Sequence, residues 1–457
     1  MTLLPVSFGL LLGLACLLLL ASPWPYLAPF VLAGLVGMAV LYRRPVWGLL
    51  GLVVLVPFEG LFRDYELSGA KLVGAGLILV LVLQLLQRRL PETRLGSNLW
   101  RALLPFLLCV LLSLAFSENL EVSLDNLREL AIGMTLFGIT LLIGRELNLL
   151  LLCRLLALSV AATSAIALYS VKYQVGGRAI GLLQDANYFA LLIAVAVPPA
   201  LLLLLRAKGL AERLLWLAVL VVLFAGMTKT DSRSGLLVVL LTCAICAWHH
   251  RSRLRLIRPR HLGFVMLGAA IVVPLTVATL PDAYIERIKL LGALSSGVNA
   301  HQDASLGRRA SYVVVGTRMI GDAPLLGAGP GTFPLHYAKT GYAKAFNEGF
   351  SVPDLYRRAH NTYLELFAEV GIPGGLAFVA LILMGLRNFQ CARRAWLAAG
   401  DQSRADLATH LGLCLLSIAL FLLFLSIPNH KYLWMFLALS SVLRLQAEGR
   451  ELPGKAS

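Results

Sequence analysis

Three stretches of this chain place residues suited to phosphate chemistry at the edges of apolar runs. The first contains Gly176-Gly177-Arg178 and continues to Asp185-Ala-Asn187, the second reads Lys229-Thr-Asp231-Ser232-Arg233-Ser-Gly235, and the third reads Tyr356-Arg357-Arg358-Ala-His360-Asn361. A guanidinium binds phosphate through two parallel hydrogen bonds and keeps its charge at any physiological pH. A single Arg at a membrane boundary serves equally well by snorkelling to lipid phosphate. Three such loops from far-apart segments instead argue for one shared anionic ligand, and a diphosphate carried on a membrane lipid has the right chemistry. His360 is the candidate general base, because the neighbouring Arg357 and Arg358 should lower its pKa and hold the ring neutral. The same position suits a helix cap. Asn361, Asp231 and Asn187 are candidates for orienting the site. His249, His250 and His261 fall in a basic loop, His410 near the start of an apolar run, and His430 beside Lys431 in a short turn.

These residues must be positioned by membrane helices. Of the 457 residues, 59% are hydrophobic and 14% charged, against roughly 25% charged in an ordinary soluble domain. The mean hydropathy is +0.81. Apolar runs of about 17 to 25 residues recur along most of the chain. The composition excludes a soluble enzyme, a disordered chain and a secreted disulfide scaffold. The expected fold class is therefore all-α, a polytopic integral membrane protein with 12 to 14 transmembrane helices, the first spans near 4–21, 25–42 and 46–62 and the last near 432–446.

The 40 Lys and Arg against 24 Asp and Glu give a net charge of +16. In a soluble chain that excess would suggest nucleic acid. Here alternate loops collect it, at Arg43/Arg44, Arg88/Arg89/Arg94, Arg145, Arg206/Lys208/Arg213, the run from Arg251 to Arg260, Arg387/Arg393/Arg394 and the tail. Such loops face the cytoplasm. Both termini are then cytoplasmic, and the three arginine-bearing loops emerge together on the outer face. No nucleic-acid partner is implied, and membrane lipids are the expected surroundings.

One connection, 281–360, is far longer than the rest and lies outside. It divides the chain into an N-terminal bundle over 1–280, a large periplasmic loop over 281–360 and C-terminal helices over 361–457. Tyr284, Ile285, Ile288 and Leu291 recur at helical spacing, as do Tyr312, Val315 and Met319, which predicts amphipathic helices against the outer membrane surface. Gly327-Ala-Gly-Pro-Gly331 superficially resembles a phosphate loop. No Gly-Lys-Ser/Thr follows it, so a turn between loop helices is the better reading. The outer loops contain no carboxylate pair at ligand spacing, and no metal or other cofactor is expected there. The seven cysteines form no disulfide pattern, and Cys243-x-x-Cys246 lacks local partners for a metal.

Taken in order, Arg178-x-x-Gly181, Asn187-Tyr-Phe-Ala190, Ser232-Arg233-Ser-Gly235, Gly307-Arg308, Gly321-Asp322-Ala-Pro324-Leu-Leu-Gly327-Ala-Gly-Pro-Gly331 and His360-Asn361-x-x-Leu364-x-x-x-x-Glu369-x-Gly371 resemble the O-antigen ligase and O-antigen polymerase superfamily. The likeness covers about 170 to 390, and the N-terminal spans share only their hydrophobicity. The resemblance implies an inner-membrane glycosyltransferase that moves a polysaccharide from undecaprenyl diphosphate to a sugar of the lipid A core, without metal or nucleotide sugar. It makes Arg178, Arg233 and Arg308 the diphosphate ligands and His360 the essential histidine. The family often has Trp four residues after the loop arginine, where this chain has Tyr312, so Arg309 stands beside Arg308 as the alternative. A polymerase or a protein O-glycosyltransferase of the same superfamily would use similar residues. A transporter of the lipid-linked sugar should show internal repeats or charges at mid-membrane depth, which the sequence lacks.

Overall fold

The computed structural model describes residues 28–62, 69–251, 304–346 and 355–449, with isolated positions before residue 28. The expected spans at 4–21 and 262–280, the stretch from Tyr284 to Leu291, the basic run Arg253 to Arg260 and His261 lie wholly or largely outside the described residues.

In chain order the helices are α1 (Ala28–Arg43), α2 (Pro45–Leu55), α3 (Gly69–Leu86), α4 (Trp100–Ala115), α5 (Leu120–Ile143), α6 (Leu149–Tyr169), α7 (Ala186–Arg206), α8 (Leu210–Lys229), α9 (Arg233–His249), α10 (Ala304–Asp322), α11 (Phe333–Ala338), α12 (Gly341–Ala345), α13 (Thr362–Ala398), α14 (Gln402–Phe421) and α15 (Lys431–Ala447). Strands β1 (Gln174–Val175) and β2 (Arg178–Ala179) form a small antiparallel hairpin between α6 and α7. That hairpin is the one departure from all-α among the described residues.

Seven of the described helices are long and apolar enough to cross a membrane, or eight if the pair Val31–Arg43 and Pro45–Gly60, bent by 118°, counts as one. This chain is a helical membrane protein. The separate spans expected at 25–42 and 46–62 are therefore a bent pair, broken where Pro45 follows Arg44 and the residue before proline is pushed out of helical backbone, with φ −141° and ψ 71°. Helices α7 and α14 are the most enclosed, each with 78% of its apolar window buried. Helix α7 is apolar on every face, as a helix surrounded by protein must be, whereas α14 buries Asp406 and His410 among its apolar residues. Helix α13 packs on α4, α14 and α15, and α7 packs on α6, α8, α9 and α14.

Contacts between segments far apart in sequence sort into two ends of the bundle. At one end Lys431 pairs with Glu59, Asn429 donates to Glu129, and Arg178 donates to Thr230. At the other, Arg94 meets Glu146, Arg206 meets the Ser403 carbonyl, and Asn98 meets Asn388.

The loop helices dock on α13 instead of standing apart. Tyr312, Val315 and Met319 of α10 are buried with Phe333, Tyr337, Ala359 and Ala368. Their apolar stripe, expected to face the membrane surface, is covered by protein. Between α10 and α11, the Gly327–Gly331 stretch is a turn that hydrogen-bonds to α13 where that helix breaks: Ala328 N donates to Ala368 O at 3.1 Å, Gly329 N to Glu369 O at 3.0 Å, and Ile372 N to Pro324 O at 2.8 Å. The break is at Gly371, with φ 76°. A Cβ there would lie 2.3 Å from the Leu325 carbonyl oxygen, so only glycine satisfies both the backbone conformation and the close approach.

Candidate functional site

Four helices begin at the end of the bundle that holds Arg178, Arg233 and His360. Asp185 caps α7 by accepting from Tyr188 N at 2.7 Å, Ser232 caps α9 by accepting from Gly235 N at 3.2 Å, and Asn361 caps α13 by accepting from Leu364 N at 3.1 Å. His430 Nδ1 accepts from Tyr432 N at 3.1 Å at the start of α15. Capping pins each helix start. Together the four ends also present partial positive charge to this face, favouring an anion.

Two groups of expected site residues assemble here. In the first, the hairpin carries Arg178 to the α8–α9 turn. Its register pairs Val175 with Arg178 across Gly176 and Gly177, both at positive φ, which is the two-residue turn whose twist matches the strands. Arg178 Nε donates to Thr230 O at 3.0 Å and lies 3.9 Å from Asp231 Oδ2. Ser232 Oγ donates to Asn187 Oδ1 at 2.9 Å, tying the start of α9 to that of α7. Arg178, Asn187, Asp231 and Arg233 thus share one neighbourhood.

The second group surrounds His360. Its ring centroid is 5.8 Å from that of Tyr312, one helical turn after Arg308 and Arg309. Arg358 donates to Glu365 Oε1 from Nε at 2.9 Å and from Nη2 at 2.6 Å, and Ala359 N donates to Glu365 Oε2 at 3.0 Å. The buried carboxylate of Glu365, on the first turn of α13, therefore folds the chain back and holds the residue that follows. That residue, His360, has φ 49°. Left-handed backbone is uncommon outside glycine and is maintained only where the surroundings impose it. Among the described residues four non-glycines adopt it: Arg88, Gln184, Asp231 and His360. Two are expected site residues, and Gln184 adjoins the Asp185 cap.

Burial is the largest influence on His360 and pushes its pKa below the ordinary imidazole value; Arg309 adds to this and Arg357 less, while Asp185 and Glu365 oppose it. The direction agrees with the reading from sequence, and Arg357 contributes as expected, but burial and Arg309 come first and Arg358 does not contribute. Arg358 is committed to Glu365, so Arg309 is the cation that matters most. Burial also works against the charge on Arg358, but Glu365 and Glu369 outweigh it and raise its pKa.

A cavity of about 740 Å³ opens between these elements, lined by His360, Arg357, Asp185, Tyr188, His430 and Lys431 among others. Arg178, Arg233, Arg308 and Arg309 do not line it. The cavity joins the groups through Asp185, which shares the α7 start with Asn187 and acts electrostatically on His360. The His430 ring lies tilted by 38° against Tyr188 with centroids 5.2 Å apart, and burial, aided by Lys431, lowers its pKa to about 3.

Sequence reasoning gave no role to Asp185, Glu365 or Glu369, and took Arg357 only as a neighbour that tunes His360. Arg357 lines the cavity, Glu365 shapes the His360 turn, and Asp185 links the two groups. Glu369 accepts from Gly331 N at 2.8 Å and Phe333 N at 3.0 Å, pinning the start of α11. The signal for both glutamates was present, since two acids in an apolar helix require partners.

Residues 218–379 match the family model described as O-Antigen ligase. The match takes in α9, the described loop helices and the first part of α13, and therefore Arg233, Arg308 and His360. No curated protein matches the chain.

Proposed function

We propose that this chain, whose residues 218–379 match the O-antigen ligase family model, is a glycosyltransferase that moves a glycan from undecaprenyl diphosphate to a sugar of the lipid A core. The reaction takes place on the periplasmic face of the bacterial inner membrane, with both termini in the cytoplasm, as the loop charges indicate.

The observation that carries this reading is the state of His360. Its backbone sits in the left-handed region directly after the segment that Glu365 clamps, its pKa is depressed by burial, and it lines a cavity of about 740 Å³. A neutral imidazole fixed at a cavity wall suits a general base. The acceptor hydroxyl attacks the anomeric carbon and passes its proton to His360. The bond from that carbon to the diphosphate oxygen breaks, and the diphosphate leaves with the electron pair. Because an imidazole is far too weak a base to ionise a sugar hydroxyl beforehand, the proton moves within the transition state. Direct displacement inverts the anomeric configuration.

Charge on the departing diphosphate is met by Arg178, Arg233 and Arg308, or Arg309 in place of Arg308, supported by the helix starts around them. Asp231 positions Arg178, Asn187 positions Ser232 beside Arg233, and Asn361 fixes the first turn after His360. The resemblance assigns this chemistry to arginines without a metal.

The test is transfer from lipid-linked glycan to lipid A-core by purified protein in detergent with EDTA. Capped lipid A-core is expected. No transfer in EDTA that recovers with Mg²⁺ would overturn the metal-free reaction. A strain lacking the protein separates ligase from polymerase: ligase loss leaves uncapped lipid A-core with long lipid-linked chains, whereas polymerase loss leaves single-repeat caps.

A further inference from the structure

At the end of the bundle opposite His360, two helices far apart in sequence bring five ligand-type side chains together. Helix α9 starts with Arg233 at the candidate site and ends with Cys246, His249 and His250 about 24 Å along its axis or just beyond it. Helix α14 contributes Asp406 and His410. The ligand atoms of Cys246, His250 and His410 lie within 4.8 Å of one another, as do those of His249, His250 and Asp406. His250, His410 and Asp406 are buried, at 4%, 0% and 3% exposure.

The hydrogen bonds prepare these groups for a cation. His410 Nδ1 lies 2.7 Å from the Asp406 carbonyl oxygen. A carbonyl only accepts, so Nδ1 carries the proton and the lone pair of the neutral ring is on Nε2. That tautomer, fixed by a backbone carbonyl, is the arrangement that orients a metal-binding imidazole. Nε2 is aimed at Cys246 Sγ, 3.4 Å away. Sulfur and nitrogen bound to one tetrahedral zinc ion at their usual lengths stand about 3.5 Å apart. The pair is therefore already at ligand spacing. On the far side of His250, His249 Nε2 lies 3.2 Å from Asp406 Oδ1, which also accepts from Gln402 at 2.7 Å.

We propose that Cys246, His250 and His410 form a binding site for a zinc-class divalent cation that joins α9 to α14, with the His249–Asp406 pair beside the fourth coordination position. Mixed sulfur and imidazole donors select borderline d-block ions over Mg²⁺ or Ca²⁺. On binding, Cys246 releases its proton to water, and the thiolate and the Asp406 carboxylate together balance the two positive charges. A cavity of about 370 Å³ lined by Trp248, His249 and Arg251 lies beside the His249 edge of the cluster. Cys246 has one partner, His250, four residues on in its own segment. The structure supplies the other, His410, 164 residues away.

Full-length protein purified in detergent, stripped with chelator and dialysed, is titrated with Co²⁺ and read in the visible and near ultraviolet. We expect about one equivalent bound per chain with tetrahedral d–d bands, a thiolate-to-cobalt charge-transfer band, and displacement of both by Zn²⁺. Cys246→Ser should abolish the charge-transfer band, His410→Gln should weaken binding at least tenfold, and Cys243→Ser should change neither. Variants are compared only where they elute as the same monodisperse species as the parent protein. Absence of saturable binding to the parent protein overturns the proposal irrespective of any variant, as does a charge-transfer band that persists in Cys246→Ser.

Discussion

The turn that carries His360 and the hairpin that carries Arg178 meet at the same end of the molecule but are held by different forces. Around His360 a buried carboxylate accepts two guanidinium hydrogen bonds and one from the backbone, and the backbone is driven into a conformation it would otherwise avoid. Around Arg178 the hairpin turn is relaxed, and the side chain, 37% exposed, is held by bonds of 3.0 and 3.5 Å to the Thr230 and Asp231 carbonyls and a 3.9 Å approach to the Asp231 carboxylate. The contrast matches the roles proposed for them. A proton acceptor works only within hydrogen-bond reach of the hydroxyl and benefits from a rigid mount. A guanidinium that follows a diphosphate from bound substrate to leaving group needs room to adjust.

If the comparison is right, the largest effect on rate comes from removing the fixed group. His360→Ala should lower glycan transfer by about 10²- to 10⁴-fold while leaving detergent-purified protein folded and lipid-linked donor still bound. Transfer within threefold of the parent rate would remove His360 from the chemistry. Next comes its mount. Glu365→Ala removes a buried carboxylate and leaves the half-buried Arg358 without its partner; solvent around the guanidinium screens part of the loss, so the cost is about 1–3 kcal/mol. Thermal unfolding should show a clear loss of stability along with loss of transfer. Glu365→Gln, which retains one acceptor oxygen, should be milder in both. Equal stability of all three proteins would mean that the clamp does not hold the turn.

The hairpin side should respond differently. Arg178→Lys keeps the charge but loses the paired N–H geometry, and hydrogen bonds to a charged group contribute about 1.5–3 kcal/mol each. We expect transfer to fall by roughly tenfold to a hundredfold with unfolding unchanged, because the lost contacts are partly solvated. A variant that lost stability as much as Glu365→Ala would erase the distinction between the two regions.

Much of this site was legible in sequence because membrane helices leave their polar residues little choice. Which loops share a face followed from counting spans and loop charges, and Arg178, Asp231, Asn187 and Arg233 do converge. What could not be read was distance within that face. The Tyr312–Val315–Met319 stripe announced a helix, but an apolar stripe is the same whether lipid or protein covers it, and here α11 and α13 cover it. Arg358 looked equivalent to Arg357 until Glu365, seven residues on, claimed it. The His–Cys cluster at the opposite end was beyond reach for the same reason, since no local spacing connects Cys246 to His410.

The finest discrimination between the two regions concerns the charge that tunes His360. Arg309 reinforces burial in depressing the imidazole pKa, and Arg357 does so less. Neutralising Arg309 removes a repulsion that protonation must otherwise overcome, so the pKa of His360 should rise toward its ordinary value. Transfer requires the neutral ring, which is lost as pH falls through that pKa. The acid limb of the pH–rate profile should therefore move to higher pH in Arg309→Gln, while Arg178→Lys lowers the whole profile without moving the limb. A merely structural role for Arg309 would scale the rate at every pH and leave the limb in place. The same measurement on Arg308→Gln assigns the two neighbours. The arginine whose loss shifts the limb acts on His360, and the one whose loss depresses the plateau acts on the diphosphate. A limb unmoved in Arg309→Gln would leave burial alone to hold His360 neutral, and the fixed turn would then owe its tuning wholly to where Glu365 places it.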